Sequence, residues 1–266
     1  MSTVIAGATA TILSASGLEF AYETTPVIDD VSVNVTRGHF CGLIGPNGCG
    51  KSTLLRLLSG VLAPRSGSVV FEGQPLEAIE PRERATRIGY VPQQQTRVFP
   101  FTALEVVLTG RSPYTSRFRF EDARDREIAG EALAAVGAEH LAARPITELS
   151  GGEQQMVAVA RALAQQASLL LLDEPAAALD LKHRAQLLSA LQRLREEREL
   201  TVLVVTHDLQ MLDATFDHLF AMRGGRLVAE GSAEEVLEES TLADVYEDPR
   251  VRTHRVDGRT FVWSER

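Results

Sequence analysis

Residues 45–53 read GPNGCGKST, with glycines at 45, 48 and 50 and then Lys51, Ser52 and Thr53 in succession. Glycines let a loop turn its backbone N–H groups inward, and the run fits G-x-x-x-x-G-K-[ST], the spacing of an amide nest that cradles a polyphosphate. In such a cradle Gly45, Asn47, Gly48, Cys49 and Gly50 line the loop, Lys51 reaches the β- and γ-phosphates, Ser52 ligates Mg²⁺ and Thr53 supports the wall. A plain glycine turn is the alternative. Cys49 is open to two readings: a thiol whose pKa is depressed by a helix N-terminus and a nearby lysine, or a small loop residue.

A second stretch, LLLLDEP at 169–175, ends an apolar run in Asp173 and Glu174. At the carboxyl end of a buried strand, Asp173 can hold Mg²⁺ through water and Glu174 can orient or deprotonate a water beside a γ-phosphate. Two acids after a strand also occur as ordinary surface decoration. Upstream, LSGGEQQ at 149–155 places Ser150, Gly151 and Gly152 at the mouth of a helical stretch, where N–H donors and a partial positive charge suit an anion. An ordinary helix start with a flexible entry fits the same residues locally.

These residues need elements to hold them. FCGLIG at 40–45 is a continuous apolar run expected to form a buried strand, and STLLRLLSG after the loop carries Leu54, Leu55 and Leu58 at helical spacing with Gly60 as C-cap. Strand, glycine loop and helix is the context that confirms a phosphate cradle. Val31, Val33 and Val35 alternate with polar residues, the period of a strand with one wet face. From about Pro92 to Ala167 the pattern turns helical, through TALEVVLTG, DREIAGEALAAVG and EQQMVAVARALAQQ. Strand signals then resume at Leu169. RAQLLSALQRLREERE is a helix with Leu187, Leu188, Leu191 and Leu194 on one face, TVLVVTHD a buried strand, and FAMRGGRLVAEG a hairpin turning at Gly224 and Gly225. Ser232 and Glu235 have capping-box spacing, and RVRTHRVDGRTFVWSER predicts a final strand or hairpin with Trp263. The pattern predicts an α/β fold: a parallel-sheet core interrupted by a helical insert.

Joined to LSGGEQQ, the two phosphate motifs give the chain the look of a family. It resembles the ATP-binding-cassette (ABC) ATPases, whose signature reads LSGGQ; Glu153 stands here at the Gln position. The other landmarks follow in order. Tyr22 matches the aromatic residue that stacks on adenine, Gln93 in YVPQ the Q-loop glutamine that senses Mg²⁺, Asp180 in AALD the D-loop aspartate, and His207 in VTHD the switch histidine that senses the γ-phosphate. Taken alone, Tyr22 also reads as a packing residue of a strand and His207 as a satisfied core histidine. AAALD departs from the Thr-Ser or Thr-Ala that many relatives carry before the leucine.

The resemblance covers roughly residues 12–240. It implies a P-loop NTPase (RecA-like) core at 12–92 and 168–240, with an antiparallel β subdomain, an inserted α-helical signature subdomain at about 93–167, and a short C-terminal extension at 241–266. It implies ATP and Mg²⁺ as ligands and a head-to-tail homodimer in which Ser150, Gly151, Gly152, Glu153 and Asp180 close on the ATP held by the other copy. Glu174, His207, Lys51 and Gln93 are the implied catalytic set, and Ser52, Gln93 and Asp173 the metal set. TALEVVLTGRSPY, DREIAGEALAAVGAEHLAARPITELSGGE and RALAQQASLLLLDEPAAALDLKH look like the ATPases of bacterial importers for metal chelates: iron siderophores, haem and vitamin B12. Zinc, manganese, molybdate or tungstate importers are similar. Such a subunit works with two transmembrane permease subunits docked on the helical insert, and indirectly with a periplasmic or extracellular substrate-binding protein, at the cytoplasmic face of the plasma membrane. The expected docking patch lies near Gln94 to Arg119, where Phe99, Phe101, Tyr114, Phe118 and Phe120 cluster.

Composition removes other classes. A net charge of −9 lacks the basic face that nonspecific nucleic-acid or anionic-membrane binding wants. No apolar run approaches the roughly 20 residues that cross a bilayer. The first 36 residues hold no Lys or Arg, unlike a secretory signal or a transit peptide, and read as a tail leading into a first strand. Two cysteines, Cys41 and Cys49, are too few for a disulfide framework, which makes the cytoplasm the default compartment. Lysine occurs only at 51 and 182 among 27 basic residues, so its retention inside the glycine loop points to a need for lysine there. Neither Asn34 nor Asn47 begins an N-K-x-D guanine motif, which argues against a GTPase. A repair ATPase would need a long coiled coil and a translation factor two cassettes.

Overall fold

A computed structural model describes residues 10–93, 100–114, 122–212, 215–256 and 259–265. The strands are β1 (Thr11–Tyr22), β2 (Thr25–Thr36), β3 (Phe40–Ile44), β4 (Ser66–Phe71), β5 (Gln74–Pro75), β6 (Ile88–Val91), β7 (Leu169–Asp173), β8 (Thr201–Val205), β9 (His218–Arg223), β10 (Arg226–Gly231), β11 (Val251–Val256) and β12 (Arg259–Ser264). The helices are α1 (Lys51–Leu58), α2 (Pro81–Arg87), α3 (Ala103–Leu108), α4 (Ala123–Ala135), α5 (Gly151–Ala164), α6 (Leu181–Arg198), α7 (Ala233–Val236) and α8 (Glu239–Tyr246).

A six-stranded sheet in the order β10-β9-β3-β8-β7-β6 forms the centre, and a four-stranded sheet, β2-β1-β4-β5, lies over one of its faces. In the larger sheet β9-β3-β8-β7-β6 run parallel and only β10 is antiparallel. Strands buried on both faces read as unbroken apolar runs, and their alternate residues serve two cores. Leu170, Leu172, Val202 and Val204 pack with the helical insert, whereas Leu169, Leu171, Leu203 and Val205 pack with α1 and the antiparallel sheet. β2 shows the expected alternation, with Val31, Val33 and Val35 inward.

Helix ends follow their local chemistry. Thr102 with Glu105, Asp122 with Asp125, Ser150 with Glu153 and Ser232 with Glu235 each close a reciprocal capping box. Helix α1 ends at Leu58 with Ser59 as the cap, so Gly60 lies one residue beyond the position expected for it. There the Gly60 N–H bonds Leu57 O at 3.0 Å and the Val61 N–H bonds Arg56 O at 2.9 Å, a Schellman closure. Within the insert, Arg111 is buried against Asp125 (Nε to Oδ1 3.0 Å), donates to Ala164 O at 2.8 Å and lies over the Tyr114 ring, joining α3, α4 and α5. The boundary expected at residue 240 falls inside α8, whose Leu242 and Val245 are buried in the central core. β11 and β12 form the expected terminal hairpin. The tail before residue 10 and the aromatics Phe99, Phe118 and Phe120 lie outside the described residues. No described helix is long and apolar enough to cross a membrane.

Candidate functional site

Strand order decides what meets at the centre of the molecule. β3, β8, β7 and β6 are neighbours and run parallel, so the segments after their carboxyl ends emerge along one edge. β3 is followed by the glycine loop and Lys51, β8 by His207, and β7 ends in Asp173 with Glu174 next; Gln93 comes two residues after β6. Asn47, Gly48, Gly50, Lys51, Ser52, Thr53, Gln93, Glu174 and His207 line one cleft, joined by Val27.

The loop is fixed from beneath. Gly50 has φ +107°, and a Cβ there would stand 2.8 Å from Val27 O, so a side chain is excluded by both backbone conformation and space. The β9–β10 turn supports the loop through the Gly225 N–H, which donates to Cys49 O at 3.0 Å. The Lys51 ammonium donates to Gly45 O at 2.7 Å and Pro46 O at 2.8 Å, which satisfies a nearly buried charge with the loop's own carbonyls. Cys49 departs from the activated-thiol reading. Burial pushes its pKa up and outweighs the opposing pull of Lys51, so it is a packed loop residue.

Glu174 sits at the focus. Its Oε2 accepts from Gln93 Nε2 at 2.9 Å, and its Oε1 lies 3.1 Å from His207 Nδ1. Its backbone has φ +51°, a left-handed conformation that costs a non-glycine residue about 1–2 kcal/mol, and the Glu174 N–H is tied to Val205 O at 3.0 Å. Asp173 is 1% exposed, and neither carboxyl oxygen has a hydrogen-bond partner of normal geometry. Burial raises its pKa, offset in part by the Ser52 hydroxyl. A buried orphan carboxyl beside a hydroxyl is a hard-oxygen donor pair, so Asp173 and Ser52 fit Mg²⁺, and Gln93 lines the same cleft as Ser52.

Ser150, Gly151, Gly152, Glu153 and Asp180 line a different cleft, with His140 and His183. None of them lines the Lys51 cleft. The structure modifies the expectation of an open helix end. The Glu153 carboxylate accepts from the Ser150 N–H at 2.8 Å, the Glu153 N–H donates to the Ser150 hydroxyl oxygen at 3.3 Å, and Arg144 donates to the other Glu153 oxygen at 3.2 Å. Glu153 therefore caps its own helix, and these contacts hold its pKa down. A Cβ on Gly152 would stand 2.8 Å from Ala178 O. Asp180 caps α6, accepting from the His183 N–H at 2.9 Å. Tyr22, 41% exposed at the end of β1, accepts from Arg56 at 3.2 Å; it lies outside the Lys51 cleft lining, so its adenine contact rests on the resemblance. Val27 and Val262 lie on strands distant in sequence, Gly225 reads only as a turn residue and Arg56 of α1 belongs to no motif, so none was marked as a support of the site.

A glycine loop between a parallel strand and a helix, with Asp and Glu ending the strand two places away, defines a P-loop nucleotide-binding protein. Residues 28–177 match the sequence model of the ABC transporter family. The chain belongs to that family, as an ATP-binding cassette. It is 42% identical over 97% of its length to a hemin import ATP-binding protein of Rhodococcus jostii, covering 87% of that protein. It is 37% identical to the ferric enterobactin transport ATP-binding protein of Escherichia coli, covering 86% of this chain and 84% of that one. A cobalamin import ATP-binding protein of Halobacterium salinarum is 38% identical over 90% of the chain, which spans only 59% of that relative. Among solved structures, an inward-facing metal-chelate type ABC transporter superposes with a TM-score of 0.82 at 29% identity, over 96% of this chain and 98% of that one. The cassette MJ0796, solved as a dimer, gives 0.76 at 29% identity, over 83% of this chain and 98% of that one.

Proposed function

We propose that the chain is the ATP-hydrolysing subunit of an importer for a metal chelate of the siderophore, haem or cobalamin class. It works as a head-to-tail homodimer around two ATP, docked through its helical insert on two permease subunits at the cytoplasmic face of the membrane. The observation that carries this reading is the separation of the Lys51 cleft from the Ser150–Gly152 cleft within one chain. A phosphate cradle with no signature beside it and a signature with no cradle beside it are complementary halves. The cargo class is supported by relatives named for hemin, ferric enterobactin and cobalamin import.

The roles follow from position. Lys51 exchanges its carbonyl partners for the β- and γ-phosphates, and the loop amides take the remaining oxygens. Glu174 accepts a proton from the attacking water. To do so it must be freed from Gln93 and His207, and both have a competing partner once ATP is bound: Gln93 the metal and His207 the γ-phosphate. Ser52, Asp173 and Gln93 would hold Mg²⁺, which neutralises charge on the phosphates. Ser150 and Gly151 then cap the γ-phosphate of the other copy. ATP binding closes the dimer because those contacts exist only across it, and hydrolysis removes them.

The test is co-purification with candidate permease subunits, followed by ATPase assays in vesicles with candidate chelates. Stimulation by one chelate class is the expected result. Hydrolysis indifferent to every chelate but stimulated by free zinc, manganese, molybdate or tungstate would reassign the cargo.

A further inference from the structure

The hairpin β11–β12 pairs with neither large sheet. It is fastened to α7 by Arg255 to Glu234 at 3.0 Å and to α8 by Arg252 to Glu239 at 3.5 Å, and its base is closed by Arg252 to Glu265 at 2.9 Å and Ser264 Oγ to Asp248 at 2.9 Å. Successive side chains of β12 point to opposite faces. Phe261 and Trp263 are 43% and 47% exposed, while Thr260 and Val262 turn inward. On that inner side β12 lies against the short 3-10 turn Leu209–Met211, which follows His207 with only Asp208 between them.

The turn is organised by local bonds. The Asp208 N–H donates to Thr206 Oγ1 at 3.0 Å, the Gln210 N–H donates to Asp208 Oδ1 at 3.1 Å, and Arg184 pairs with Asp208. The first two fix its internal shape and the third ties Asp208 to α6, while Met211 anchors its far end in the core; the side that faces Glu174 has no such tie among these bonds. A cavity of about 350 Å³ separates it from the Glu174–Ala177 loop, with Glu174, Thr206 and His207 in its wall. Among the described residues Val262 is the sole contribution of the C-terminal segment to that wall. Across an underfilled space a turn can shift unless another surface stops it. A β-branched side chain, stiff at χ1, is suited to be that stop.

We propose that the C-terminal hairpin braces the switch-histidine turn and that Val262 is the positioning residue through which it sets His207 against Glu174. The proposal rests on the reading of His207 as the γ-phosphate sensor given above. A misplaced sensor weakens the assembled transition state while leaving the phosphate cradle intact, so the effect belongs in kcat rather than KM.

The test uses the full-length chain with MgATP, comparing Val262→Ala, Val262→Thr, Phe261→Ser and His207→Ala. Val262→Ala is expected to lower kcat by on the order of 10-fold with KM held within about twofold. It is also expected to move the His207 imidazole signal in an NMR spectrum, identified by its loss in His207→Ala. Val262→Thr keeps the branched shape at a half-buried site and should restore both, and Phe261→Ser, on the outer face, should leave both unchanged. A wild-type kcat in Val262→Ala overturns the brace, as does an equal loss in Phe261→Ser or a lowered kcat with an unmoved His207 signal. Undiminished hydrolysis in His207→Ala would instead sink the reading of the site, and the brace with it.

Discussion

Glu174 combines a left-handed backbone with a carboxylate shared between Gln93 and His207, so its amide and its side chain are both committed before nucleotide arrives. Glu174→Gln preserves size and backbone preference but not basicity. It should keep ATP affinity while phosphate release falls by on the order of 10²–10⁴; full-speed release would remove the residue from its role. Lys51→Ala should weaken nucleotide binding itself, read by titration with a fluorescent ATP analogue, and wild-type affinity would count against the cradle. Asp173 invites a test of stability as well as rate. Its pKa is higher folded than unfolded, so the folded chain holds its proton to higher pH. Stability without nucleotide therefore falls as pH rises from the ordinary carboxylate range through the raised value. Asp173→Asn should flatten that fall and leave the chain at least as stable at neutral pH, while abolishing Mg²⁺-dependent hydrolysis; urea titrations across pH would show it. The acids were legible because they end an apolar run, whereas Gln93 and His207 were marked only by the family resemblance, although each follows a strand end by two residues. The state of Cys49 was not, because its neighbours in sequence are a lysine and a helix start, whereas its environment is set by burial.

At the level of elements, period and punctuation were informative. The 2.0 alternation of β2, the apolar runs of β3, β7 and β8 and the Ser232–Glu235 cap all stand where the residues put them. Strand order was not legible, since nothing in VVTHD says that β8 lies between β3 and β7. Helix α8 shows a different limit. Its short apolar stripe, Leu242 and Val245, is too brief to separate a core helix from a trailing segment, and only packing decides. The insert carries its own polar anchor in Arg111–Asp125, both buried. Asp125→Ala would strand the guanidinium among the Ala164 carbonyl and the Tyr114 ring and is expected to cost about 3–5 kcal/mol in urea unfolding. A loss under about 1 kcal/mol, the value of an exposed pair, would show that water reaches the site.

For the whole molecule, the two separate clefts support the proposal that function lies between copies. Ser150→Arg puts a long charged side chain on the rim of the signature cleft, so it should block closure of the dimer yet leave ATP binding to the separate chain intact. Size-exclusion chromatography of the variant in the Glu174→Gln background, with ATP, reads the first effect and nucleotide titration the second; loss of both would indicate misfolding. One contact inside the chain bears on how those copies answer each other. Gly152 opens the signature helix, and its missing side chain leaves room for Ala178 O, in the loop that starts at Glu174. One loop therefore joins the Glu174 carboxylate in one cleft to the glycines of the other. In the proposed dimer, spending one triphosphate is therefore expected to tug on the grip around the other.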